Sequence, residues 1–512
     1  MNYTRKNVWE LGGDWAGPVL WYARGVKAMQ ARTIAKPTSW NFYAAIHGFV
    51  ESLWQQHGYW KPSDPKPDSK DSDRFWLQCQ HGSWYFLPWH RGYILAFEAN
   101  IRAEVVNLNG PADWALPYWN YFKPNQYKLP PAFASADWPD GKGDNPLFTQ
   151  QRYGPKNDSN VYVPVDDPKV VNLKPMGGTE FTGIPLGSRG FGGVDTGFEH
   201  GGKYHGDFEK QPHDMVHGLV GGNDPKNTNF LGLMSDPRTA GLDPIFWLHH
   251  ANIDRLWQVW RQNPRTNSDP SATKWLRGPG SLGERSFSMP MPDGTNWDYT
   301  PGDFEDFTKL SYDYDDLSPV AAPVQPGQRL LRLGASTATV GAMEGAAVSN
   351  ATKVELIGAN EAPMKVEGAE AATSVRLDSR MRSKVIASLA MDVAAPAPDR
   401  VFLNLENVRG LSDSAVLKVY VGLPAGAVPV DHPERLAGSV SLFGVAKASI
   451  VDGEHAGQGV TLDLEITDIV DALHLSGALN AGPLDVRIVP LNPIPETAKI
   501  TIGRVSIFRQ GL

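Results

Sequence analysis

Seven histidines fall in four short, aromatic-rich stretches of this 512-residue chain. His47 lies in "WNFYAAIHGFVESLWQQ", His81 and His90 in "QCQHGSWYFLPWHRGYILAFE", His213 and His217 in "EKQPHDMVHGLVGG", and the adjacent pair His249 and His250 in "DPIFWLHHANIDRLWQVWRQ". Imidazole is the commonest side-chain metal ligand, and two of them at i,i+4 on one helix face, as His213 and His217 would be, can grip one ion. Singly, each signal is weak: a lone His on an apolar helix is more often a hydrogen-bonded core residue, and HxxxH arises by chance. Together, six histidines sort in chain order into two sets of three. Three neutral imidazoles leave an ion with open positions, and two such ions side by side suit chemistry on a diatomic molecule.

The elements that must position these groups follow from periodicity. The stretches at 40–56, 88–106 and 243–262 carry apolar residues at helical spacing, and long loops rich in Gly, Pro and Asp join them, notably over 123–210. All 17 Trp fall before residue 300, whereas the region beyond 320 is rich in Ala, Val, Leu and Gly. There "VFLNLENV", "AVLKVYVGL", "VSLFGVA", "VTLDLEITDIV", "LDVRIVPL" and "KITIGRVSIF" alternate as half-buried strands do. The expected fold is multi-domain: a mainly α-helical bundle with long loops over 1–317, a small-residue linker over 318–352, and an all-β sandwich or barrel over 353–512. A 512-residue chain has ample length for more than one core.

Composition excludes several classes. The formal charge of −8 supplies no electrostatic reason to expect nucleic acid or an anionic membrane as partner, so a small molecule is the expected ligand. The N-terminal "MNYTRKNVWELGGDW" shows no apolar signal segment, and no long apolar run occurs, which predicts a soluble cytoplasmic protein; export with a partner is left open, as is homo-oligomerisation. Cys79 is the single cysteine, so no intrachain disulfide can form. "HDMVH" imitates the zinc-protease HExxH with Asp in place of Glu, but a hydrolase would not need the second histidine set. "GFGGVDTG" lacks the strand and helix context of a nucleotide loop.

The ordered motifs "FLPWHRGYILAFE", "LPYWNY", "EKQPHDMVH" and "DPIFWLHHANIDRLW" resemble the type 3 copper proteins: tyrosinases, catechol oxidases and molluscan haemocyanins. The resemblance spans roughly residues 40 to 315. It implies two copper ions with O2 as co-substrate, the first held by His47, His81 and His90 and the second by His213, His217 and His250. His249 competes for the last place; the family pattern favours His250, and Asp254, one turn on, is expected either to accept a hydrogen bond from its second ring nitrogen or to form a surface or helix-packing salt bridge with Arg255 or Arg91. Cys79 stands two residues before His81, the spacing at which fungal tyrosinases and haemocyanins carry a Cys–His thioether.

The activity so implied is ortho-hydroxylation of phenols and oxidation of catechols to o-quinones, the chemistry of melanin formation; the alternatives are catechol oxidation alone or oxygen carriage. Hydroxylation requires removal of a phenolic proton whose ordinary pKa is near 10. Glu209, four residues before His213, occupies the place of a water-ordering glutamate in related plant enzymes. Asp214, the second candidate catalytic carboxylate, stands where many strong tyrosinases have Asn; it can polarise the same water or pair with a nearby cation. The plant phenylalanine gate aligns with "MSDPR" at 234–238, which has no aromatic residue. "YDY" at 312–314 resembles the tyrosine motif that closes the plant and fungal core, and the strand-rich region beyond it resembles a shielding domain over the copper site.

Overall fold

A computed structural model describes residues 3–262, 267–319, 353–390, 399–452, 456–480 and 482–511. The linker expected over 318–352 lies almost wholly outside the described residues. The chain forms two compact units, one of residues 1–166, 196–202 and 212–320, the other of 167–195, 203–211 and 321–512. The strand-rich unit thus includes two stretches that the sequence reading places inside the 1–317 segment. No described helix is long and apolar enough to cross a membrane.

The first unit is helical. Helix α1 spans Gly17–Gln30, α2 Trp40–His47, α3 Glu51–Gln56, α4 Phe86–Asn107, α5 Met215–Gly221 and α6 Pro244–Arg261. Ser39 caps α2 by accepting the Phe42 N–H at 3.2 Å, and Asp243 caps α6 with Pro244 at its first position. Each cap satisfies a backbone donor that the first helical turn leaves without a partner. The single helix expected over 40–56 is two, because Gly48 is extended and ends α2. A Cβ there would lie 2.7 Å from Arg238 Cα and 2.8 Å from the Pro237 carbonyl oxygen, so only glycine admits that loop. Helix α1, which the apolar spacing did not single out, packs on α4 through Gly25 and Ile101.

Around α4 and α6 the core is aromatic: Trp40, Trp89, Trp247 and Phe97 are fully or almost fully buried, and the Phe97 and Trp247 rings stack at 3.5 Å. Strand β1, Tyr3–Arg5, pairs in parallel with β2, Tyr312–Tyr314, joining the two ends of the unit. Beneath this pair lies a charged cluster with almost no exposure. Arg91 Nε on α4 donates to Asp254 Oδ1 on α6 at 2.6 Å, Arg5 donates to Glu98 and to Asp254 Oδ2, and the Tyr312 and Tyr314 hydroxyls each donate to Asp254 Oδ2 at 2.6 Å. Burial pushes the Asp254 carboxyl up, but Arg91 and Arg5 outweigh it and hold the group below the usual carboxylate range.

In the second unit a nine-stranded antiparallel sheet runs β7-β6-β9-β4-β3-β10-β5-β8. The strands are β3 Lys353–Ala359, β4 Ala371–Leu377, β5 Arg400–Arg409, β6 Val416–Val421, β7 Leu436–Ser441, β8 Val460–Glu465, β9 Leu484–Pro490 and β10 Thr501–Gly511, with the two-residue strand Met364–Lys365 paired on β10. The strand expected over 460–470 stops at Glu465, and Thr467–Leu475 is a helix that turns Ile469, Val470 and Leu473 inward. A Cβ on Gly438 of β7 would sit 3.1 Å from Leu464 of β8, so the first and last strands approach and the sheet is nearly closed, as a barrel. Branched aliphatic residues fill it, among them Val375, Leu403, Leu405, Val419, Ile488 and Val505. The stretches 167–195 and 203–211 are held to this sheet by buried charge: Asp463 on β8 accepts from Arg189 Nε at 2.9 Å and Lys210 Nζ at 2.6 Å.

Candidate metal centre

The first histidine set comes together from three elements of the helical unit. His47 is the last residue of α2, His90 stands in the second turn of α4, and His81 lies in the extended segment before it; their ring centres are 5.2, 5.5 and 5.8 Å apart. His47 Nδ1 donates to the Pro237 carbonyl at 2.6 Å, and His90 Nδ1 to the Phe86 carbonyl at 2.8 Å. The His81 segment is fixed by a bridge to His200, whose Nδ1 meets the Cys79 carbonyl at 2.9 Å. Gly82, at φ +63°, permits this approach: a Cβ would fall 2.4 Å from the Gly202 carbonyl oxygen.

The second set rests on α5 and α6. His213 is the penultimate residue of the π-helical turn Glu209–Asp214, and His217 stands one turn on, in α5. His213 Nδ1 donates to Asp214 Oδ1 at 2.8 Å, and His217 Nδ1 to the Met234 carbonyl at 2.8 Å. Their Nε2 atoms are 3.1 Å apart, and His250 Nε2 on α6 lies 3.3 Å from that of His217. The two sets adjoin, since the His90 and His250 rings stack at 4.4 Å and the His81 and His213 rings are 5.7 Å apart.

This arrangement tests whether an ion belongs here. With Nδ1 of His213 and His217 donating to fixed acceptors, each Nε2 presents a lone pair, and the two lone pairs face each other at 3.1 Å. Neither can donate to the other, so a cation between them relieves the repulsion. Burial, and then neighbouring imidazoles, push His90, His213, His217 and His250 well below the ordinary histidine pKa, and burial takes His249 down to about 3. They are therefore neutral at pH 7, as metal-binding imidazoles must be. In each cluster the donor atoms lie within 4.8 Å of one another.

A family model of the common central domain of tyrosinase matches residues 37–263. Tyrosinase HcTyr1 of Hahella sp. (strain CCB-MM4) is 32% identical over 99% of both chains. The chain belongs to the tyrosinase family. The latent polyphenol oxidase of Prunus armeniaca is 31% identical over 38% of this chain and 32% of its own. The solved structure of latent apple tyrosinase shares the fold over 99% of this chain and 97% of its own, with a TM-score of 0.58 at 20% identity. Residues 353–510 match a domain of unknown function, DUF7868. The two histidine clusters fit the pair of copper ions of the tyrosinase and polyphenol oxidase family.

Within this tyrosinase-family centre, one expectation is overturned. Asp254 does not orient His250: its oxygens are taken by Arg91, Arg5, Tyr312 and Tyr314, and His250 Nδ1 has no hydrogen-bond partner among the described residues. Two arginines attract a carboxylate more strongly than a neutral imidazole does, so Asp254 clamps α4 to α6 instead. The neighbouring His249 points its Nδ1 at the Tyr121 hydroxyl, 3.3 Å away. Cys79 Sγ lies 3.4 and 3.7 Å from Nδ1 and Nε2 of His81 and 3.5 Å from His90 Nε2. Glu209 is buried, accepts the Gly206 N–H at 3.3 Å and lies 3.6 Å from His205 Nδ1, and Asp214 is engaged by His213.

The segment 234–238 lacks an aromatic gate, yet its Met234 and Pro237 carbonyls orient one histidine of each cluster. Sequence reasoning missed this because every residue carries a carbonyl. It also missed the aromatic walls: Phe246 lies 4.2 Å from the His250 ring and 4.9 Å from His47, and Phe86 lies 4.5 Å from His90 and 4.6 Å from His213.

Proposed function

We propose that this protein is a dicopper phenol oxidase that uses O2 to ortho-hydroxylate monophenols and to oxidise o-diphenols to o-quinones. His47, His81 and His90 would hold one copper, and His213, His217 and His250 the other. The observation that carries this reading is the inward convergence of the Nε2 lone pairs of His213, His217 and His250, with the outer nitrogens of His213 and His217 tied down. When bound, the copper pair supplies O2 binding and electron acceptance.

The chain's own residues supply the rest. Carbonyls of Phe86, Met234 and Pro237 and the Asp214 carboxylate accept from Nδ1–H of four imidazoles, which fixes the tautomer and orientation of those rings. Phe86 and Phe246 pack against the rings and keep water from them. Glu209, buried and 3.6 Å from His205 Nδ1, would draw the phenolic proton through a water that Asp214 can also polarise. Glu209→Gln should therefore depress tyrosine hydroxylation while sparing catechol oxidation. Equal losses on both substrates would assign Glu209 a structural role, and absent hydroxylation in the unaltered protein would leave catechol oxidation alone.

The strand-rich unit is proposed to keep the enzyme latent, in keeping with the apple tyrosinase whose fold the chain shares and which was solved in a latent form. A tethered domain acts at high effective concentration, so even a modest interface suffices to occlude a site.

A further inference from the structure

The aromatic residues beside the histidine clusters form a continuous path. The Trp89 ring lies 4.7 Å from that of His90, Tyr93 lies 4.8 Å from Trp89, and Trp247 lies 4.8 Å from Tyr93. Phe97 stacks on Trp247 at 3.5 Å, Tyr22 follows at 6.4 Å, and Trp114 stacks on Tyr22 at 6.4 Å. Trp89, Tyr93, Trp247, Phe97 and Tyr22 are wholly buried, whereas Trp114 is 3% exposed and lies directly after the exposed turn 111–113. The path therefore starts at the residue preceding His90 and ends one residue from the exposed turn 111–113.

We infer that Trp89, Trp247 and Trp114, with the intervening rings, carry single electrons inward to the metal centre when it is oxidised with no phenol bound, so that the site discharges before its ligands are damaged. Indole is the most readily oxidised neutral side chain in such a core, and rings in near contact exchange electrons quickly. One electron leaves Trp89 for the centre, which is reduced by one. The vacancy moves through Trp247 to Trp114, where an o-diphenol in solution refills it and becomes a phenoxyl radical with release of one proton. No proton needs to travel along the path. The Nε1–H groups of Trp89 and Trp247 have no hydrogen-bond acceptor among the described residues, and the Tyr93 and Tyr22 hydroxyls donate only to backbone carbonyls. A vacancy there cannot be trapped by deprotonation and moves on.

The inference rests on the dicopper reading, and copper content separates the two. The copper-loaded full chain is treated with hydrogen peroxide without any phenol, and oxidised residues are mapped by peptide mass spectrometry. Indole oxidation should concentrate on Trp114 over the half-buried Trp138, which is off the path, and a catechol in the medium should suppress it. In Trp114→Phe, oxidation should accumulate at least severalfold on Trp247. In Trp247→Phe it should accumulate on Trp89 and His90 and fall at Trp114. With two coppers bound, equal oxidation of Trp114 and Trp138, or an unchanged map in Trp114→Phe, would overturn the path; fewer than two coppers would count against the dicopper reading instead.

Discussion

Asp254→Asn separates two roles that a carboxylate one turn beyond a metal ligand can play. The substitution removes the charge facing both Arg91 and Arg5 while keeping size and one acceptor oxygen. Glu98 still pairs with Arg5, but Arg91 keeps no carboxylate among the described residues and stays buried against Trp257, 3.9 Å from its ring centre. Stranding one member of a buried pair costs about 3–5 kcal/mol. At roughly 2 °C per kcal/mol for a large domain, the melting midpoint should fall by about 6–10 °C. The assay is thermal unfolding by near-ultraviolet circular dichroism, which reads the tryptophan-rich unit, with copper counted below the transition. Copper should remain at two per folded chain, because His250 does not lean on Asp254. The effect should also depend on pH. Since the folded pKa is depressed, the stabilisation is full above the unfolded aspartate value near 3.9 and is lost as pH falls through the lower folded value, so wild type and variant should converge only in strong acid. A copper affinity reduced more than about tenfold with an unchanged midpoint, the signature of a lost ligand-orienting bond, would refute this account.

Three further outcomes are expected. His250→Ala should bind one copper fewer and lose catechol oxidation, whereas His249→Ala should keep both ions, as copper analysis of the purified variants would show. Copper-loaded protein should yield a peptide spanning Cys79 and His81 about two hydrogens lighter than its composition, with no alkylatable thiol; ready alkylation in active enzyme would exclude the crosslink that the sulfur's position favours. Cleavage within 318–352 should leave the C-terminal fragment bound, because Asp463 remains paired with Arg189 and Lys210, and only Asp463→Asn combined with cleavage should release it on gel filtration.

The sequence by itself picked out the candidate metal-binding side chains. Histidines at i,i+4, a Cys-x-His triplet and a doubled histidine on a helix are local patterns, and the helices and strands of the two units are set by equally local periodicity. Two exceptions arose: Gly48 broke one helix for a contact made far along the chain, and the alternation at 460–470 continued into a helix that buries the same apolar residues. Only the tertiary structure decided how the ligands are held. Met234 and Pro237 act through backbone carbonyls, which carry no sequence signal. Asp254 could have faced His250 or an arginine, and the choice fell to partners 163 and 249 residues away. The same holds for Arg189 and Lys210, which join the C-terminal sheet because buried charges require a counter-charge wherever the chain can supply one. Residue type announces what a side chain can do, and long-range packing settles which partner it does it with.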